Sequence, residues 1–227
     1  MSDRDKHAAY ASPAARHDAH AEQAGMTKDA VREFFDRLAP QWDENLEVND
    51  AKINTILDAA GIASGVRVLD VACGTGVLFP FYMSRGVAHV TAVDISPEMV
   101  RIARQKTGDS RFRILCADIE ELPAAGEYDC CVVYNAFPHF PEPKHLVERL
   151  AAHLKPGGRL TIAHGMSIEA LNKRHSGSAS KVSRGMLTAS DLAELLGTWF
   201  AVDTAVSDDE KYIVSGRRIA QEEGFTT

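Results

Sequence analysis

The sequence predicts an α/β fold: a doubly wound sheet of about seven strands, mostly parallel, ending in a C-terminal antiparallel hairpin. Three observations predict it. Short β-branched, apolar runs alternate with segments whose apolar residues recur every three to four positions, the rhythm of strands and crossover helices. The first run, Val66 to Val71, is broken by Gly74 and Gly76, and an apolar segment of helical length, Val77 to Arg85, follows before Gly86. The last two runs, Phe200 to Val206 and Lys211 to Arg217, are joined only by the polar Ser207-Asp-Asp-Glu210.

In chain order, residues 1–25 are rich in Ala, His, Asp and Ser, and too poor in large apolar side chains to order themselves. A flexible tail is expected there, with His7, His17 and His20 solvated rather than metal-bound. Thr27 is placed to cap a helix carrying Val31, Phe34, Phe35 and Leu38, with Pro40 expected to end it. A second helix, Asp50 to about Ala60, presents Ile53, Ile56 and Leu57 on one face and stops at Gly61. His89 to Asp94 reads as a strand, after which Ser96 caps a helix with Pro97 at its first position. Arg111 to Asp118 and Tyr128 to Tyr134 read as the third and fourth strands. Lys144 to Leu154 carries a helical stripe, and Lys155-Pro-Gly-Gly158 turns it into a fifth strand, Arg159 to His164. Gly165 to Met186 has no sustained period, and a segment of this kind between regular elements is more often functional than idle. Thr188 then caps a helix ending at Gly197.

Composition bounds the function. With 227 residues the chain can bury a core without staples, and a net charge of −7 with no basic cluster disfavours a nucleic-acid partner. The four cysteines, at 73, 116, 130 and 131, form no Cys-x-x-Cys pair and read mainly as strand-associated packing, with Cys73 set apart by its place in the glycine turn. No run is long and apolar enough to span a bilayer and no signal peptide is visible, so membrane insertion is not expected and a cytoplasmic location is the default.

The chemistry centres on Asp70-Val-Ala-Cys-Gly-Thr-Gly76. Glycines let a backbone approach a ligand, and a helix starting after them offers N–H groups to it. Eighteen residues beyond Gly76, Asp94 ends a strand-like run where a carboxylate can accept both hydroxyls of a ribose. A dinucleotide fingerprint needs a third glycine, and that slot holds Phe79. The run instead resembles the first motif of class I S-adenosylmethionine (SAM)-dependent methyltransferases, acidic-x-Gly-x-Gly-x-Gly, with Ala72 in place of the first glycine. Val31 to Asp43 is similar to the opening segment of quinone-type methyltransferases, where it folds over the cofactor. The resemblance covers about residues 30–218, and fades after Asn135.

What the resemblance implies is a Rossmann-like domain over residues 63–227, a helical lid over 26–62, and an insertion at 165–187 bordering the acceptor. The backbone around Asp70, Ala72, Cys73, Gly74 and Gly76 would hold the methionine end of the cofactor S-adenosyl-L-methionine. Asp94 would bind the ribose and Ile95 the adenine face; Asp118 and the Ile119 amide would take the adenine amino edge. Asn135 would fix the amino-acid portion. The acceptor would be a small molecule with an O, N, S or C nucleophile. If it must lose a proton, His139, His164 and His175, with Tyr134 as a further possibility, are the groups to receive it. Their spacing gives a three-histidine metal site no specific support. Two alternatives are an NAD-dependent oxidoreductase on a similar sheet and a non-catalytic SAM-binding protein.

Overall fold

The computed structural model describes residues 26–175 and 178–220; the expected tail over 1–25, with its three histidines, lies outside the described residues. Helix α1 (Lys28–Trp42) and helix α2 (Asp50–Ala59) lead into strand β1 (Arg67–Val71). Then follow α3 (Phe79–Ser84), β2 (His89–Asp94), α4 (Pro97–Gln105), β3 (Phe112–Cys116) and β4 (Tyr128–Tyr134). The chain continues through α5 (Pro143–His153), β5 (Leu154–His164), α6 (Ile168–His175), α7 (Ala189–Leu196), β6 (Phe200–Ser207) and β7 (Tyr212–Arg218). The strands form one sheet in the order β3-β2-β1-β4-β5-β7-β6. Pairs among β1 to β5 are parallel, while β7 runs antiparallel to both β5 and β6. The expected seven-stranded architecture with its terminal hairpin is borne out.

The central strands are buried where the pattern said they would be, while the edge strands β3 and β6 are only partly so. Val68, Leu69, Val71, Val90, Val93, Val132 and Val133 are within about a percent of full burial, so helices must cover both faces. One face packs α5 and α7 residues such as Leu146, Leu150 and Leu192 against Val71, Val133 and Ile162. The other packs Ile53, Leu57, Phe79 and Tyr82 against Val68, Val90 and Val132.

Four local expectations are corrected. Pro40 does not end α1, which runs on to Trp42. A proline this near the terminus forfeits one backbone bond, and Trp42 packs edge-on to Phe35 with ring centroids 5.7 Å apart. Leu38 points outward, 40% exposed, while Val31 and Ala39 are the buried residues of that helix. Strand β5 begins at Leu154, not Arg159: Leu154 pairs with Tyr128 and Arg159 with Cys130, so residues 155–158 form a bulge inside the ladder. Cys116 is exposed at the end of β3, whereas Cys73, Cys130 and Cys131 are buried.

Helix α3 is also shorter than the apolar segment suggested, because Gly76 to Leu78 form a turn ahead of it. Gly76 has φ +86°, and a Cβ built there would lie 2.5 Å from the Phe79 ring. The residue in the third glycine slot therefore packs on Gly76. Gly74 has φ +55° but open space around it. Gly76→Ala is expected to cost about 2–4 kcal/mol, from left-handed strain plus overpacking, and Gly74→Ala about 1 kcal/mol from strain alone. Denaturant unfolding of the two variants checks the difference.

Candidate active site

Parallel strands that end together leave a crevice at their C-terminal edge, and here that edge is built by three crossovers. After β1 the backbone turns through Ala72 (φ +53°), Gly74 and Gly76, all left-handed. Ala72 thus holds, at a cost of about 1 kcal/mol, a conformation that glycine adopts freely. After β2, the Asp94 carboxylate joins two crossovers: Oδ2 accepts from the Gly74 N–H at 2.8 Å and Oδ1 from the Ser96 N–H at 2.9 Å. After β3, Asp118 Oδ1 accepts from the Glu120 N–H at 2.9 Å.

These groups line one cavity of about 990 Å³, open mouth included. Ala72, Cys73, Gly74, Asp94, Ile95, Asp118 and Ile119 line it, as do Tyr134, Asn135 and His139. Asn135 is a second left-handed non-glycine residue (φ +55°); its Oδ1 accepts from the Gly165 N–H at 3.0 Å. Gly76 and Asp70 are not among the lining residues. Asp70 is instead buried behind the turn with Oδ2 lacking a partner. Burial first, and the nearby Asp94 charge second, raise its carboxyl well above the usual range, so it holds its proton. Burial likewise pushes Cys73 far up, and the thiol stays protonated.

The four candidate proton acceptors separate. His139 lines the cavity from the 3₁₀ turn Phe137–His139; its Nδ1 lies 2.7 Å from the Val182 carbonyl and its ring stands edge-on to Phe35 at 4.8 Å. A carbonyl only accepts, so Nδ1 carries the proton, and in the neutral ring Nε2 is the basic nitrogen. Tyr134 also lines the cavity, but burial raises its phenol, which makes it a donor rather than a base at neutral pH. His164 is a correction: it is fully buried and packs on Tyr212, with ring centroids 6.0 Å apart, away from the cavity. His175 ends α6, and its side chain is outside the described features. Among the described residues, no three His, Cys, Asp or Glu side chains come together to hold a metal ion.

Sequence reasoning missed how α1 is fastened over this edge. Lys28 Nζ reaches Asp118 at 2.5 Å and the buried Glu120 at 2.6 Å, and Glu120 also meets His145 Nδ1 at 2.9 Å. Asp36 accepts from Ser96 Oγ at 2.5 Å and from the Glu98 N–H at 3.2 Å. Asp43 accepts from Thr75 Oγ1 at 2.6 Å and pairs with Lys106 at 2.7 Å. Between them the anchors reach the crossovers after β1, β2 and β3. Phe35, Trp42, Leu46, Met99 and Phe140 complete the wall. Of these, the Phe34-Phe35 and Trp42-Asp43 pairs carried a sequence signal, through the resemblance of the opening segment.

Comparison with known proteins agrees with the geometry. Residues 68–158 match the family described as "Methyltransferase domain". The chain is 33% identical over 141 residues to the malonyl-acyl-carrier-protein O-methyltransferase of Acetivibrio thermocellus, covering 61% of this chain and 50% of that protein. It is 33% identical over 159 residues to the ubiquinone biosynthesis O-methyltransferase of Bordetella avium, covering 65% and 63%. The chain thus spans half to about two thirds of these relatives' length. Among solved structures, magnesium protoporphyrin IX methyltransferase from Synechocystis PCC 6803 superposes with TM-score 0.65 at 20% identity, over 85% of this chain and all of that one. The cyclase SpnF superposes with TM-score 0.70 at 18% identity, over 87% and 98%. These likenesses show the fold. The recognition of a class I methyltransferase domain from the glycine-turn motif is borne out.

Burial raises the Asp94 carboxyl to about 6. The folded chain therefore holds this proton more tightly than the unfolded chain, and the resulting stabilisation is present at low pH and lost as pH rises through about 6. The stability advantage of the native protein over Asp94→Ala is expected to shrink between pH 4 and pH 7, measured by denaturant unfolding at each pH.

Proposed function

We propose that this chain is a methyltransferase whose cofactor is S-adenosyl-L-methionine and whose acceptor is a small, apolar molecule bearing an aromatic hydroxyl. One observation supports the reading above the others: the glycine turn, Asp94 and Asp118 face a single cavity that Phe35, Trp42, Phe140 and His139 also line.

The residues fit the cofactor. Asp94 and Asp118 line the cavity, where their carboxylates can accept from a ribose hydroxyl and from the adenine amino group. Ile95 and Ile119 offer apolar surface to the adenine, and Asn135 borders the amino-acid portion. A dinucleotide fits worse. Its pyrophosphate would meet Asp94, Asp118 and Glu120, with Lys28 as the one lysine or arginine lining the cavity among the described residues.

When bound, the cofactor supplies an electrophilic methyl group. The protein has then to orient the acceptor, exclude water and take one proton. Phe35, Trp42 and Phe140 give walls that suit a flat apolar ring and keep solvent out. His139 receives the hydroxyl proton at Nε2, while its Nδ1–H stays on Val182. The two relatives named above are O-methyltransferases, which agrees with an oxygen acceptor.

Titration calorimetry is expected to give SAM binding and none for NAD. Affinity should fall as pH drops through about 6, because protonation of Asp94 removes an acceptor. Asp94→Ala should weaken SAM binding about tenfold or more; unchanged affinity removes the ribose assignment. With catechol as acceptor and labelled SAM, His139→Gln should lower kcat about a hundredfold and leave SAM affinity within twofold. Binding without transfer to catechol or to a panel of phenols, thiols and amines would identify a non-catalytic SAM-binding protein instead.

A further inference from the structure

Residues 182–184 cross the same turn that carries His139. Val182 and Ser183 are buried there, and the Val182 carbonyl faces His139 Nδ1 at 2.7 Å. Arg184 closes the contact from the far side. Its backbone N–H donates to the Pro138 carbonyl at 2.9 Å, and its guanidinium Nη1 donates to the Pro141 carbonyl at 3.2 Å. The guanidinium is half-buried, its Nε–H is buried without a partner, and burial lowers its pKa. Keeping a cation there costs desolvation that an apolar side chain would avoid, so filling space does not account for it.

We infer that Arg184 is a positioning residue: by clamping residues 138–141 onto residues 182–184, it fixes the His139 imidazole with Nδ1 on the Val182 carbonyl. The inference rests on the reading of His139 as the proton acceptor and extends it. A ring locked this way keeps its basic Nε2 in one orientation, whereas a loosened turn lets both tautomers and other rotamers in.

The test uses the full chain. Nitrogen-15 imidazole spectra, with the His139 signal identified by its loss in His139→Gln, report the tautomer. The native protein should show the Nδ1–H form predominating, Arg184→Met a mixture, and Arg184→Lys, which keeps one donor, partial recovery. With catechol and labelled SAM, Arg184→Met should lower kcat about tenfold while SAM affinity stays within twofold. Arg184→Gln replaces the methionine variant if that fails to fold. An unchanged tautomer in Arg184→Met overturns the inference. So does a raised KM for catechol with the tautomer unaltered, which would make Arg184 an acceptor contact. If His139→Gln keeps full turnover, the base assignment fails, and the tautomer spectra still decide the part played by Arg184.

Discussion

The Asp94 carboxylate, spanning the Gly74 and Ser96 N–H groups, is the constraint on which the cavity depends. Parallel strands deliver chain ends to one edge but leave the turns between them free to splay. One acid at the end of β2 closes the turn after β1 and starts the helix after β2. Charge-assisted bonds to two backbone donors are strong enough to hold a carboxylate in a site that burial makes unfavourable for it. Its neighbour Asp70 meets the same problem differently, by keeping its proton. Two adjacent acids can therefore share a buried edge without both being charged.

The anchors of α1 apply the same economy to the cover of the cavity. Lys28, Asp36 and Asp43 are spread along one helix and its following turn, and between them they reach the crossovers after β1, β2 and β3. The surface that covers the cavity is thereby tied to the turns that line it. Asp36 also caps α4 jointly with Ser96, so the seating of α1 and the start of α4 are one event. The far side is held differently. Residues 138–141 and 182–184 meet through main-chain carbonyls that accept from the His139 ring, the Arg184 N–H and the Arg184 guanidinium.

Much of this was legible in the chain. Alternating periods gave all seven strands and most helices, the central ones most clearly, because burial on both faces forces near-continuous apolar runs in the parallel strands β1, β2 and β4. Capping chemistry gave Thr27, Ser96 and Thr188 correctly, since a cap is a contact within three residues. The expectation failed where a local rule met tertiary packing: Pro40 is carried inside α1 by the contact between Trp42 and Phe35, and the 155–158 bulge depends on pairing with β4.

By itself, then, the sequence determined the sheet, the glycine turn and the acids at strand ends, because each rests on spacing along the chain. The fold alone decided which histidine faces the cavity. His139 lies just after β4 and His164 ends β5, and they read alike as letters, but one sits in a turn opposite α1 and the other is fully buried against Tyr212. The links from Lys28 to Asp118 and Glu120, and from Arg184 to Pro141, likewise exist only in three dimensions. They join residues 43 to 92 positions apart, and no local periodicity encodes a contact whose partners meet only after the crossovers have packed.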